Sequence, residues 1–248
     1  RGVHPARDLA QLGHAADHKA MPKGQSRDYP KYPDRGFMLD VGRKFYTIEF
    51  LQDYVKLMSY YKMNRFQIHL NDDVGDVGYF RLESEKFPGV TSKDGYYTKQ
   101  QFRDLQLLGM EYGVNVVPEI DTPGHSGAFI AYDSRLGSNN QLDINRPETL
   151  DFIKALFDEY LDGSNPTFVG PDVHIGTDEY FGDDKESFRR YVDMLLNHIN
   201  SKGKRARLWG SLSAYDGTTP VSNHATMDIW YEPYGSAQQA VELGLADL

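Results

Sequence analysis

The sequence predicts an α/β fold, a TIM (β/α)8-type barrel of which this chain carries six strands. Three observations carry that prediction. Short apolar segments alternate with amphipathic stripes of helical period, the pattern of parallel strands joined by crossover helices. No glycine-rich phosphate loop follows the first strand, which weakens the alternative of a doubly wound dinucleotide-binding sheet. Polar residues gather where the apolar segments end, as a barrel with its site at the C-terminal ends of its strands requires.

Along the chain, residues 1–34 are rich in Pro, Gly, His and charge without sustained periodicity, and they read as a lead-in segment. Residues 35–248 read as the barrel domain. Its strands are predicted at residues 37–40, 65–70, 114–118, 173–176, 206–209 and 227–230, short and apolar as strands covered by helices should be. Apolar residues spaced by three and four mark the helices between them. Leu51, Tyr54, Val55, Met58 and Tyr61 form one stripe, and Phe102, Leu105, Leu108 and Tyr112 a second. Leu150, Ile153, Phe157, Tyr160 and Leu161 form a third, and Phe188, Tyr191, Val192, Leu195 and Ile199 a fourth. Gly113 and Gly203 stand where a helix ends in a left-handed residue, and Pro147 followed by Glu148 suits a first turn. A last stripe covers residues 237–243. The count stops at six strands, so the remainder of the catalytic barrel is expected in a longer protein.

Composition narrows the function classes. The formal net charge is −9 with basic residues scattered, so the electrostatic footprint of a nucleic-acid binder is missing. Apolar runs reach only a few residues, far short of the roughly 20 that span a bilayer. The chain has no cysteine, which removes disulfides, thiolate metal sites and cysteine nucleophiles together. This suits an extracellular or cell-surface bacterial protein and suits a cytoplasmic one as well. No cofactor or metal is expected.

The residues able to do chemistry stand just past the strand ends. After the first strand comes Asp40-Val-Gly-Arg43, and after the second His69-Leu-Asn-Asp72-Asp73. The third leads into Glu119-Ile-Asp121-Thr-Pro-Gly-His125, and the fourth into His174-Ile-Gly-Thr-Asp178-Glu179. The fifth and sixth end in Trp209 and Trp230. Taken singly, an Asp at a strand end is more often a cap, a lone His a core residue and a Trp part of the packing. Their coincidence at one end of one repeated architecture shifts the weight to function. Cleaving a glycosidic bond takes a proton donor for the leaving oxygen and a stabiliser for the charge at the anomeric carbon. Two carboxylates divide these tasks when their environments separate their proton affinities. Consecutive strand residues point to opposite faces, so Asp178 and Glu179 can address one substrate only where strand gives way to loop.

Four stretches together are similar to a known family: Arg35-Gly-Phe-Met-Leu-Asp-Val-Gly-Arg43, Ile68-His-Leu-Asn-Asp-Asp73, Pro118-Glu-Ile-Asp-Thr-Pro-Gly-His125 and His174-Ile-Gly-Thr-Asp-Glu179. They resemble the motifs of glycoside hydrolase family twenty, the β-N-acetylhexosaminidases and lacto-N-biosidases, over about Arg35 to Trp230. The resemblance implies substrate-assisted retaining catalysis on glycans that end in N-acetylhexosamine, in which the substrate's acetamido oxygen attacks its own anomeric carbon. It implies catalytic roles for Asp178, which would orient the acetamido group, and Glu179, the acid and then base. It further implies that Arg43 binds hydroxyls of the terminal ring, that Asp72 and His125 set the protonation of Glu179, and that Trp209 and Trp230 wall the pocket. Two departures stand out. Asp73 leads into Val74-Gly-Asp-Val-Gly-Tyr79 where the family often has Gln-Gly-Trp, and Thr177 replaces a common Gly. Release of the disaccharide lacto-N-biose by the same mechanism is the nearest alternative. A barrel metallohydrolase built on the His, Asp and Glu residues and a carbohydrate-binding domain without activity are the more distant ones.

Overall fold

The computed structural model describes residue 27 and residues 29–245. The predicted lead-in segment therefore lies mostly outside the described residues. Its last residue, Asp34, belongs to the folded unit, since it is paired with Arg207 at 3.0 Å.

Six strands form one parallel sheet: β1 (Gly36–Asp40), β2 (Arg65–His69), β3 (Asn115–Thr122), β4 (Asp172–Gly176), β5 (Arg205–Trp209) and β6 (Ala225–Asp228). Their spatial order equals their chain order. Each connection thus steps to the next strand in one direction, as in a barrel wall; a doubly wound sheet would reverse part-way. The helices are α1 (Ile48–Tyr60), α2 (Lys99–Glu111), α3 (Pro147–Leu161), α4 (Lys185–Ser201) and α5 (Ala237–Glu242). None among the described residues is long and apolar enough to cross a membrane.

Local chemistry starts and stops these helices where expected. Thr98 caps α2 through a reciprocal capping box with Gln101, and Asp184 accepts the Ser187 N–H at the start of α4. Pro147 opens α3. Gly113 and Gly203 take φ of 71° and 74° just beyond α2 and α4, which only glycine adopts cheaply. The predicted stripes face the core: Tyr54, Leu108, Tyr112 and Leu150 are partly buried at their edges, Tyr61 falls beyond α1 and is exposed, and of the last stripe only Ala240 is buried.

The two faces of the sheet differ in kind. Phe66, Ile68, Val116, Ile120, Val173, Ile175, Ala206 and Leu208 pack beneath the helices in one continuous apolar core. The alternate positions carry Gln67, His69, Glu119, Asp121, His174, Arg207 and Trp209. These polar side chains are buried except Trp209, which is partly so, and they share the face with Val117 and the exposed Met38.

Four strands match their predicted bounds to within one residue at each end, and two differ by more. β3 runs to Thr122 instead of stopping at Pro118, because Asn71 satisfies its backbone from the side. The Asn71 amide accepts the Asp121 N–H and donates to the Asp121 carbonyl, each at 2.8 Å. Polar strand residues held this way read as loop in the sequence. β6 lies two residues earlier than predicted, leaving Trp230 beyond its end, since Gly210 N–H is bonded to the Asp228 carbonyl. A hairpin of Asn71–Val74 and Val77–Phe80, a short helix Gly127–Tyr132 and a two-residue hairpin at 137–142 were not predicted; their polar and glycine-rich segments lack a period.

A buried ion cluster ties the strands together on this polar face. Arg207, almost fully buried, bonds Asp228 at 2.8 and 3.1 Å, and Arg65 bonds both Asp228 oxygens at 2.9 Å. Burial opposes charge on Asp228, but His174 and Arg207 outweigh it and hold the carboxyl well below the usual range. Removing one partner of a buried pair leaves a charge uncompensated. Arg207→Met is expected to lower stability by about 3 kcal/mol, read as a lower urea midpoint at unchanged m-value.

Candidate active site

Each strand delivers its side chain to the site by a different local device. Beyond β1, Asp40 accepts the Arg43 backbone N–H at 3.0 Å and its guanidinium at 2.9 Å, folding the loop back. Gly42 permits this, because a Cβ there would lie 2.7 Å from the Asp72 backbone nitrogen. Arg43 then reaches Asp72 Oδ2 at 2.7 Å. β2 ends in His69, whose Nε2 meets the same Asp72 oxygen at 2.8 Å, while Nδ1 lies 3.0 Å from Glu119.

β3 supplies Glu119, Asp121 and, past its end, His125 in a left-handed conformation with φ of 52°. A register shift against β4 between Glu119 and Thr122 is a bulge, a frequent device for re-aiming side chains beside a site. Glu119 is fully buried and accepts from Gln67 at 2.7 Å and from the Trp209 indole at 2.6 Å.

β4 ends in two successive left-handed residues, Gly176 (φ 72°) and Thr177 (φ 73°). For Gly176 the requirement is steric as well as torsional, since a Cβ would lie 1.7 Å from Asp121 Oδ1. Thr177 is β-branched and strained in this region; its N–H donates to that same Asp121 oxygen at 2.9 Å. The break in strand geometry lets Asp178 and Glu179 turn toward one point. His125 Nε2 lies 3.4 Å from Asp178 Oδ2 and 3.4 Å from Glu179 Oε2, while its Nδ1 bonds Asp72 Oδ1 at 2.8 Å.

Electrostatics follow from these contacts. Burial opposes charge on His125, but Asp178 and Asp72 outweigh it and push the imidazole up to about 12. Burial likewise opposes charge on Asp72 and Asp178, and the histidines hold both carboxyls below their ordinary values. Asp121 goes the other way: burial and the neighbouring Asp178 charge raise it well above the carboxylate range, which favours its protonated form. These contacts favour an imidazolium at His125 beside ionised Asp72 and Asp178, and a protonated Asp121 next to Asp178.

Five of the predicted site residues, Arg43, Asp72, His125, Asp178 and Glu179, form one connected chain. Trp209 joins through Glu119 and His69, and its ring lies 4.7 Å from that of His174. Trp230 is tied to the same sheet end through its indole bond to the Gly210 carbonyl at 3.1 Å, and packs on Tyr231 and Tyr234. Glu119, His69 and Asp121 stand in the predicted motifs without an assigned place, and Gln67 and Asp228 were missed. The available signal was polar residues at alternate positions of otherwise apolar strands. Several triplets, among them His69 with Glu119 and Asp121, and Asp121 with His125 and Asp178, bring possible metal-ligand atoms within 4.8 Å. Their imidazole nitrogens face carboxylates of the same chain.

The family model described as "Glycosyl hydrolase family 20, catalytic domain" matches residues 32–187, more than half of the chain. The chain belongs to this family. It is 28% identical to a β-N-acetylhexosaminidase of Cellulomonas fimi, over 85% of this chain and 45% of that protein. It is 33% identical to a β-hexosaminidase of Akkermansia muciniphila, over 66% of this chain and 38% of the relative. Among solved structures, a chitobiase of Flavobacterium johnsoniae matches with TM-score 0.74 and 26% identity, over 87% of this chain and 37% of that one. A β-N-acetylhexosaminidase of Bacteroides fragilis matches in fold with TM-score 0.75 at 24% identity, over 87% and 49%. The chain spans less than half the length of these relatives. The six-stranded sheet is accordingly part of the family-20 TIM barrel, and the expected lineage and fold class hold.

Asp73 lies at the edge of this family-20 site. Its Oδ1 accepts the Gly127 N–H at 3.0 Å, while burial and the adjacent Asp72 charge raise its carboxyl to about 6. A carboxyl raised in the folded state costs stability as pH climbs above its unfolded value, and the cost levels off above the folded one. Asp73→Asn keeps the acceptor and removes the charge. It should stabilise the fold by about 1 kcal/mol near pH 7.5 and have little effect near pH 4, in urea unfolding at both.

Proposed function

We propose that this chain builds the catalytic site of a β-N-acetylhexosaminidase that releases terminal β-linked N-acetylhexosamine from oligosaccharides or glycoconjugates by substrate-assisted retention. The observation that carries the reading is the single His125 nitrogen equidistant from Asp178 and Glu179, backed by Asp72. Such an arrangement gives two adjacent carboxyls different work. Asp178, more buried and held ionised, suits acceptance of the acetamido N–H and stabilisation of the charge that develops there. Glu179, at the more open edge, suits proton exchange with the leaving oxygen.

In the first step the glycosidic C–O bond breaks and the acetamido carbonyl oxygen bonds the anomeric carbon, giving an oxazolinium ring. The proton of Glu179 passes to the leaving oxygen. In the second step water attacks the anomeric carbon, Glu179 takes back a proton, and the ring opens to restore the acetamide with net retention. Arg43, held by Asp40 and Asp72, is the candidate for binding ring hydroxyls, and Trp209 and Trp230 are the candidates for the pocket walls. A glycan substrate outside the cell fits an extracellular or cell-surface location, which we include in the proposal.

Three measurements test this reading. Glu179→Gln should lose turnover by about 10² or more on alkyl glycosides, and far less on a 2,4-dinitrophenyl glycoside whose leaving group needs no proton. Asp178→Asn should impair both. A thiazoline analogue of the oxazoline should inhibit competitively, because it resembles the intermediate. Trapping a labelled glycosyl ester on any Asp or Glu of the chain would contradict the mechanism.

A further inference from the structure

The acid of this site sits on a segment without regular structure. Residues 177–184 lie in neither strand nor helix, so their backbone groups need partners from elsewhere. The Glu179 side chain contacts His125 only at 3.4 Å, too long to fix its direction. Its aim therefore depends on how the backbone around it is held.

One hydroxyl does most of that holding. Tyr215 Oη accepts the Tyr180 N–H at 2.9 Å and donates to the Tyr180 carbonyl at 2.6 Å, gripping both polar groups of the residue after Glu179. On the other side Gly124 presses close, since a Cβ there would lie 2.9 Å from the Glu179 carbonyl oxygen. One residue further, Phe181 N–H donates to Gln141 Oε1 at 2.5 Å. Tyr215 is itself well placed to serve as a fixed post. Its backbone N–H bonds the Ser211 carbonyl at 3.1 Å, and its ring packs 4.5 Å from Phe188 of α4 and 5.8 Å from Tyr180. It also meets Tyr234 at 6.3 Å, and Tyr234 lies 5.3 Å from Trp230. The loop after β5 thus holds the catalytic loop after β4.

We propose that Tyr215 is a positioning residue for Glu179: its hydroxyl clasps the Tyr180 peptide and so aims the carboxyl at the leaving-group oxygen. The proposal rests on the reading of Glu179 as the acid. It makes a claim specific to that step, because attack by the acetamido group uses Asp178, which follows the residue anchored by the Thr177–Asp121 bond and lies on the other side of Glu179 from the clasp.

The test compares three variants of the full chain on a methyl and a 2,4-dinitrophenyl N-acetyl-β-hexosaminide. Tyr215→Phe removes the clasp and keeps the ring. Tyr97→Phe removes a comparable hydroxyl, bonded to the Tyr46 carbonyl at 2.7 Å and not to the segment that carries Glu179, and controls for lost stability. Glu179→Gln reports on the acid itself. Small misplacements of a catalytic group cost one to two orders of magnitude. Tyr215→Phe should therefore lower kcat on the methyl glycoside about tenfold, change the dinitrophenyl rate less than about twofold, and leave KM nearly unaltered. Tyr97→Phe should melt lower without that selectivity. If Tyr215→Phe matches wild type, or loses equally on both substrates, while Glu179→Gln keeps its selective loss, the clasp is overturned and the acid assignment stands. If Glu179→Gln loses equally on both, the acid assignment fails and the Tyr215 role falls with it.

Discussion

The site depends on the ionised Asp72. Its side chain is almost fully withdrawn from water, yet it meets Arg43, His69 and His125 within 2.8 Å. A lone buried carboxylate would cost many kcal/mol, and three charge-assisted partners offset that cost. The consequence is directional. One Asp72 oxygen faces Arg43 and His69, and the other faces His125, so the ion fixes the spacing between the loops after β1, β2 and β3. From His125 the contacts continue to Asp178 and Glu179; from His69 they continue to Glu119, which also accepts from the Trp209 indole. Each member is tolerable in the interior only because the next is present.

The parallel sheet makes this possible. Period-two alternation gives one face wholly to apolar packing under the helices and frees the other for polar residues. The β3 bulge and the left-handed pair Gly176–Thr177 then give up local regularity where the side chains must be re-aimed. Gly176 shows how little room is left, since the space of one Cβ is already occupied by Asp121. Asp121 in turn bonds the Thr177 N–H and favours its protonated form beside Asp178. Sterics and charge at that corner therefore constrain each other.

Much of this was legible in the sequence, for physical reasons. Strands covered by helices must be apolar at alternate positions, and helices must show stripes, so β1 to β6 and the main helices could be read from periodicity. Glycines 113 and 203 mark helix ends because the left-handed conformation disfavours other residues. Asp178 and Glu179 could be read as partners because adjacency at a strand end is the way both can face one point. What stayed hidden depends on contacts distant in sequence. The extension of β3 relies on Asn71, some fifty residues away. The role of Tyr215 rests on two bonds to Tyr180 that no local pattern announces. Asp228 and Arg207 look like ordinary surface charges until the fold brings Arg65 and Asp34 beside them.

The central claim is that His125 is a permanent imidazolium, held by Asp72 on one side and facing both carboxyls on the other. Nitrogen-15 NMR of selectively labelled histidine in the free chain, with His125→Gln for assignment, measures this directly. The account predicts that both ring nitrogens of His125 stay protonated from pH 5 to beyond about pH 9, and that Asp72→Asn moves the titration down. A His125 that titrates near its ordinary value of about 6.5, with one nitrogen bare at neutral pH, would contradict it.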